Sequence, residues 1–204
     1  QDKASGIAEA FLIGQDFING DSVSLALGDN IFFGQGFTSS LEKAVKRKTG
    51  ATVFGYNVKN PKDFGIINFD NNGNIVSIEE KPNNPKSNCA VTGLYFYDNS
   101  VIDFAKSIKP SSRGELEITD INKIYLENDN LNVEILGRGF AWLDTGNYRA
   151  ILEASKFIEI LEDRQGLKVA CIEEIAFMQG WIDESQLFEI AAQYSNSSYG
   201  KYLR

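Results

Sequence analysis

The stretch Val23-Ser24-Leu25-Ala26-Leu27-Gly28-Asp29-Asn30 decides the reading of the fold. A short apolar run ends in Gly-Asp-Asn, the pattern of a buried strand whose C-terminal end turns sharply. In open α/β sheets the C-terminal strand ends border the ligand crevice, so an acid there is a candidate site residue. A second stretch, Phe140-Ala141-Trp142-Leu143-Asp144, has the same form far downstream and runs into Thr145-Gly146. Two carboxylates at strand ends offer the oxygen ligands that Mg²⁺ takes together with water and phosphate oxygens. Taken singly, each aspartate reads better as a turn residue, because Asp beside Gly or Thr-Gly suits turns. Only tertiary structure can bring the two together.

Working outward, residues 7–18 predict one helix with Ile7, Phe11 and Ile18 near one face, ended by Asn19-Gly20-Asp21. Ser39 with Glu42 predicts a capping box opening a helix through Leu41 and Val45, stopped by Gly50. Its basic run Lys46-Arg47-Lys48 suits a C-terminal helical turn better than a nucleic-acid patch. Residues 51–58 read as a strand, and 64–69 with 75–80 flank the hairpin signal Asp70-Asn71-Asn72-Gly73. A loop at 81–85 precedes a strand at 90–97. Helices at 101–108 and 119–127, strands at 131–136 and 140–143, and a long helix at 148–161 follow. Residues 172–194 predict two shorter helices before a tail rich in Ser, Asn and Tyr. Strands alternating with helices, plus one hairpin, make the expected class α/β with a mixed sheet.

Composition narrows the chemistry. Acidic residues number 28 and basic 20, giving net charge −8 over 204 residues. Bulk attraction for nucleic acid or an anionic membrane is therefore not expected. An anionic substrate would need a local basic cluster or a metal ion. There is no histidine, which removes Ser-His-Asp and Cys-His catalysis and every His-based metal site. Cys89 and Cys171 are expected to be reduced thiols of a cytoplasmic protein. No apolar run approaches the roughly 18 residues of a membrane helix, and the start at Gln1 does not read as a signal peptide.

Other residues carry weaker signals. In Glu79-Glu80-Lys81-Pro82, Lys81 is a point cation fit for a phosphate, and Glu80 can accept from sugar hydroxyls; alone, the pair reads as a solvated strand edge. Arg113-Gly114-Glu115-Leu116-Glu117-Ile118-Thr119-Asp120 precedes a helix with Thr119 or Asp120 as N-cap. Helix-start electrostatics accounts for the acids but not for Arg113, whose guanidinium can clamp a phosphate oxygen. Gly34-Gln35-Gly36 and Gly137-Arg138-Gly139 are too short for phosphate loops. Gly93, inside a strand, marks a close approach of ligand or backbone. Phe96, Tyr97 and Trp142 read as core rather than as a stacking platform.

The order of these pieces is more specific than any one of them. Gly28-Asp29-Asn30-Ile31-Phe32, Gly50-Ala51-Thr52-Val53-Phe54, Phe64-Gly65, Glu79-Glu80-Lys81-Pro82 and Pro85-Lys86-Ser87-Asn88 come first. Ala90-Val91-Thr92-Gly93-Leu94-Tyr95-Phe96-Tyr97, the Arg113 segment and Trp142-Leu143-Asp144-Thr145-Gly146 follow. Together they closely resemble the bacterial glucose-1-phosphate thymidylyltransferases over nearly the whole chain. The resemblance extends to Arg164-Gln165-Gly166-Leu167-Lys168 and Glu173-Glu174-Ile175-Ala176-Phe177. It implies a single Rossmann-like nucleotidyltransferase domain over residues 1–204, with a helical part from about residue 147 to 204. It implies a Mg²⁺-dependent reaction of dTTP with glucose 1-phosphate, giving dTDP-glucose and pyrophosphate. By resemblance, Asp29 and Asp144 hold Mg²⁺, while Lys81 and Arg113 bind phosphate. Glu80 and Val91 hold the sugar, Gly65 offers it a backbone contact, and Tyr95 and Trp142 line its pocket. Gln1 and Gly6 match a thymine-binding segment. Homotetramers, with the C-terminal helices in subunit contacts, are implied as well.

One departure stands out. The family opens with a strand and a Gly-Gly-x-Gly-Thr-Arg loop that cradles the triphosphate, and nothing in these 204 residues matches it. The chain is therefore expected to be an N-terminally truncated fragment, inactive alone. Two alternatives stay open: a non-catalytic sugar-nucleotide binding or oligomerisation module, and a transferase using UTP or ATP.

Overall fold

The structure, a computed structural model, describes residues 1–204. It divides into two compact units, Gln1–Asp144 and Thr145–Arg204. In the first, α1 (Glu9–Ile13) and α2 (Gln15–Ile18) precede β1 (Val23–Ala26), β2 (Asn30–Phe33), α3 (Phe37–Lys46) and β3 (Ala51–Asn57). After a short 3₁₀ turn (Pro61–Asp63) come β4 (Gly65–Phe69), β5 (Ile75–Glu80) and β6 (Cys89–Tyr97). Helices α4 (Ser100–Ser107) and α5 (Ile118–Glu127), then β7 (Leu131–Leu136) and β8 (Ala141–Asp144), complete the unit.

Strand β6 organises the sheet. It pairs antiparallel with β3 along one edge, and with β4 and β1 along the other. Strand β5 closes the hairpin with β4, and β7 adds in parallel to β3, giving the order β5-β4-β6-β3-β7 with β1 on β6. The sheet is mixed, as the hairpin signal predicted. A strand buried on both faces reads as a continuous apolar run, and Cys89 to Leu94 are all buried.

The two faces follow from the strand's alternation of side chains. Val91, Tyr95 and Tyr97 of β6 pack with Phe11, Ile18, Val101, Ile102, Ala105, Ile118, Ile121 and Tyr125, so α1, α2, α4 and α5 cover one face. Leu94 and Phe54 point the other way, into a second cluster with Ala44 of α3 and Leu136, flanked by Phe32, Phe37 and Phe140. Tyr97 is fully buried, stacks on Tyr125 at 5.4 Å and donates its hydroxyl to Asn122 Oδ1 at 2.6 Å. Burial, with the neighbouring Tyr95 and Tyr125, holds the Tyr97 hydroxyl protonated far above the usual tyrosine range.

Several local expectations needed correction. The predicted helix over residues 7–18 is two short helices, because the chain leaves helical geometry at Gly14 (φ −84°, ψ 5°). Ser39 and Glu42 form no capping box: α3 starts three residues earlier, after Gly36 in the left-handed region, so both lie inside the helix. Helix α5 starts after Glu117, not at Thr119 or Asp120, and has no side-chain cap. The basic run does end α3, and Arg47 there ion-pairs with Glu134 of β7 at 2.7 Å. Strand β2 was not foreseen. It pairs antiparallel with β8 as a separate two-stranded sheet, in the register Asn30↔Asp144, Ile31↔Leu143, Phe32↔Trp142, Phe33↔Ala141.

The second unit is helical: α6 (Tyr148–Gln165), α7 (Ile172–Met178), α8 (Glu184–Gln193) and α9 (Ser198–Tyr202). Asn147 caps α6, accepting from the Ala150 N–H at 3.0 Å, and Gly166 ends it in the left-handed region. Asp183 and Gln186 form a full capping box on α8. The small core is Cys171, Ala191 and Leu203, with Leu187, Ile190, Tyr199 and Tyr202 against it. Helix α9 lies in the tail that predicted no element. Both cysteines are buried and free, and burial pushes the Cys89 thiol up to about 11, where it is inert. No helix is long and apolar enough to cross a membrane.

Candidate active site

The β2–β8 sheet builds the site. Asp144 sits opposite Asn30, and Asp29 is the residue before it, so the register that pairs these strands also brings the two aspartates to one end of the ladder. Both line a cavity of about 360 Å³, together with Leu27, Asn30, Gly65, Glu80, Lys81, Val91, Gly93, Tyr95, Arg113, Thr119 and Trp142. Nine of the eleven residues singled out from the sequence meet here: Asp29, Lys81, Arg113, Asp144, Gly65, Glu80, Val91, Tyr95 and Trp142. A slightly larger cavity, about 380 Å³, lies among β1, α3 and β6 and contains none of them.

Gln1 and Gly6 do not line the cavity, but their segment is tied to its rim. The Gln1 side-chain amide donates to the Gly6 carbonyl at 2.8 Å, and Leu116 N–H donates to the Ser5 carbonyl at 2.7 Å. A Cβ on Gly6, whose φ is +105°, would stand 2.4 Å from the Leu116 carbonyl oxygen. Only glycine allows that approach. Leu116 lies between two residues that line the cavity, Glu115 and Glu117, and so does the neighbouring Ile7.

Arg113 is positioned differently from the expected free clamp. Glu117, buried at 7% exposure, accepts from its Nε at 3.2 Å and from Nη2 at 2.7 Å, and also from the Ser111 hydroxyl at 2.6 Å. Glu115 and Glu80 approach the same guanidinium at 3.3 and 3.4 Å. The Glu117 hydrogen bonds, then the surrounding carboxylate charges, hold the guanidinium proton more tightly than usual. Glu80 is fixed by a second donor, the Thr119 hydroxyl at 2.5 Å. Lys81 adopts φ +42°, a left-handed conformation that a side chain with a Cβ rarely takes. Its N–H donates to the Phe64 carbonyl at 3.0 Å. Such stored strain recurs at working positions.

Acids outnumber bases around the cavity: Asp29, Asp63, Glu80, Glu115, Glu117 and Asp144 against Lys81 and Arg113. The sequence had left open a basic cluster or a metal ion as the means of holding an anion. A phosphate ester entering this cavity would meet a surplus of negative charge, which a bound cation would offset. The Asp29–Asp144 donor set fits Mg²⁺, which binds to proteins through one or two carboxylates while keeping water and phosphate oxygens. No cluster of three or more potential ligands forms a closed cage. Buried Tyr95 feels the same field. Burial first, then the charges of Glu80 and Asp29, keep its hydroxyl protonated well above the usual range.

Asn30 was read as part of a turn, and its role was missed. Its Oδ1 accepts from the Gly93 N–H at 3.0 Å and from Trp142 Nε1 at 2.6 Å, while its Nδ2 donates to Asp29 Oδ1 at 2.8 Å. Gly93 is the strand glycine whose close approach was predicted. A Cβ there would lie 2.5 Å from Asn30 Oδ1. Gly93→Ala is expected to displace that amide and leave two donors unpaired, costing about 2 kcal/mol, as read by urea denaturation. Trp142 packs against Phe64 at 5.1 Å and Tyr56 at 5.9 Å, so it is both core and cavity wall.

Comparison with known proteins identifies the family. The Nucleotidyl transferase family matches residues 1–160. A glucose-1-phosphate thymidylyltransferase of Neisseria meningitidis is 54% identical over the whole chain, and one of Mycolicibacterium smegmatis is 53% identical. The chain belongs to the glucose-1-phosphate thymidylyltransferase family of nucleotidyl transferases. It spans 70% of the length of each of these two relatives. A solved Bacillus anthracis structure, described as a glucose-1-phosphate thymidylyltransferase with sucrose, superposes with TM-score 0.69 at 42% identity, over 77% of this chain and 62% of that one. A UDP-glucose pyrophosphorylase bound to UDP-glucose shares the fold, with TM-score 0.65 at 21% identity over 76% of this chain and 62% of its own. The Rossmann-like nucleotidyltransferase fold expected from the sequence is therefore present in this family member.

Proposed function

We propose that this chain carries the sugar-phosphate and cation site of a nucleotidyltransferase that makes dTDP-glucose and pyrophosphate from dTTP and glucose 1-phosphate. The observation that carries this reading is the convergence of Asp29 and Asp144 in one cavity with Lys81, Arg113, Glu80, Tyr95 and Trp142. The relatives named for this reaction support the choice of substrates. We read residues 1–204 as one nucleotidyltransferase domain with a helical part from about residue 147.

The chemistry needs no covalent nucleophile. A phosphate oxygen of the sugar ester attacks the α-phosphorus of dTTP, and the bond from that phosphorus to the oxygen bridging it to the β-phosphate breaks. Pyrophosphate leaves with that electron pair. No proton has to be removed from the nucleophile, so the absence of histidine is no obstacle. The enzyme contributes positioning and charge neutralisation. Asp29 and Asp144 would hold Mg²⁺, which supplies Lewis-acid neutralisation of phosphate oxygens. Lys81 and Arg113 bind the sugar phosphate, with Glu117 fixing the plane of the Arg113 fork. Glu80, itself held by Thr119, accepts from sugar hydroxyls, and Val91 and Gly65 offer backbone contacts. Trp142 and Tyr95 wall the ring. The Gln1–Gly6 strap holds the rim toward the thymine.

Calorimetric titration of glucose 1-phosphate into this chain tests the sugar half. Binding that Lys81→Ala abolishes is expected, and no binding would overturn the reading. Turnover needs the triphosphate loop, which these residues do not contain, so it is measured on a polypeptide carrying both. There dTTP is expected to outpace UTP. Arg113→Lys, which keeps the charge but loses the fork, is expected to raise the KM for glucose 1-phosphate about tenfold with a smaller change in kcat. A homotetramer fits the exposed Leu152, Ile172 and Trp181 of the helical unit, each more than two-thirds exposed. Light scattering checks the assembly.

A further inference from the structure

We propose that Asn30 is a positioning residue that fixes the Asp29 carboxylate for divalent-cation binding by anchoring it to Gly93 and Trp142. The inference rests on the reading of Asp29 and Asp144 as cation ligands.

The amide has one workable orientation. Its oxygen faces two donors, the Gly93 N–H at 3.0 Å and the Trp142 indole N–H at 2.6 Å. Turned over, its NH₂ group would face those donors and leave both unpaired, at a cost of desolvation. The NH₂ therefore faces Asp29, where it donates to Oδ1 at 2.8 Å. Both anchors sit in packed structure. Gly93 belongs to the central strand β6, and Trp142 is 9% exposed and wedged against Phe64 and Tyr56. Asp29 itself lies in a turn, outside the β2–β8 ladder, so the ladder does not fix its carboxylate. The Asn30 donor thus ties Asp29 Oδ1 to the Gly93–Trp142 anchor and sets the direction of the carboxylate. Carboxylate ligands are commonly held by such hydrogen bonds, and losing the partner weakens metal affinity about 10–100-fold.

The test is Mn²⁺ affinity, measured on the folded chain by electron paramagnetic resonance with Mn²⁺ alone. Asn30→Ala is expected to weaken binding about tenfold or more. Trp142→Phe keeps an aromatic ring and the Asn30–Asp29 bond but removes one anchor, and is expected to weaken binding by a smaller factor. Thermal melts with and without Mn²⁺ provide the second readout, since the midpoint rises only where the ion binds the folded chain. A lowered midpoint in Asn30→Ala with unchanged Mn²⁺ affinity would make Asn30 merely structural and overturn the proposal. Asp29→Asn and Asp144→Asn separate the two levels. If they abolish Mn²⁺ binding while Asn30→Ala does not weaken it, the proposal alone falls. If neither alters binding, the ligand assignment falls and the proposal with it.

Discussion

In a polypeptide that also carries the triphosphate loop, Asp144→Asn is expected to lower the rate of nucleotidyl transfer by about a thousandfold or more, and Asp29→Asn to do the same. The expectation follows from charge. Six carboxylates and two cations line the cavity, and the proposed reaction would bring a sugar phosphate against a triphosphate there. Without a bound cation, repulsion among these anions raises the barrier. Removing a single preorganised electrostatic partner from a transition state costs about 10²–10³ in rate, and a lost metal ligand removes more than one hydrogen bond does. The substitution is nearly isosteric, so a circular-dichroism melt should show a folded protein. Steady-state pyrophosphate release at several Mg²⁺ concentrations is the measurement. Wild-type turnover in either variant would remove both aspartates from the mechanism.

Phe54→Ala is expected to cost about 3–5 kcal/mol of folding stability, the range for deleting a buried aromatic ring. Phe54 has no exposed surface. Its ring meets Phe37 edge-on at 6.0 Å and Phe96 at 6.1 Å, in the cluster that seats α3 on the sheet. Neighbours on several elements cannot all collapse into the space it leaves. The consequence reaches the site, because Phe32 of β2 packs on this cluster and stacks on Phe37 at 5.3 Å. A loosened β2 loosens Asn30 and the end of the ladder that carries the aspartates. Urea denaturation measures the loss, and a change under about 1 kcal/mol would show that the cluster repacks.

Residues 23–30 illustrate what a sequence makes legible. Apolar runs, turn residues and the Asp70–Gly73 hairpin are local signals set by side-chain periodicity and backbone preference, and they placed β1, β3 to β8 and most helices. Errors of local reading arose where two local signals competed. Ser39 and Glu42 have capping-box spacing, but Gly36 takes the left-handed conformation first and starts α3 earlier. The second unit's α9 has no strong signal, since a five-residue helix in a polar tail is held by its Ser197 cap and by Tyr199 and Tyr202 against the core.

The sequence by itself determined the α/β class, the family, and which residue types stand at the ends of β1 and β8. Those properties depend on order and spacing along the chain. Tertiary structure alone decided three things: that β2 pairs with β8, that Arg113 is gripped by Glu117, and that Asn30 joins Asp29 to Gly93 and Trp142. Each depends on register or on a side-chain direction set by packing. Strand register between distant segments is chosen by the whole buried face at once, and no local pattern in either segment encodes it.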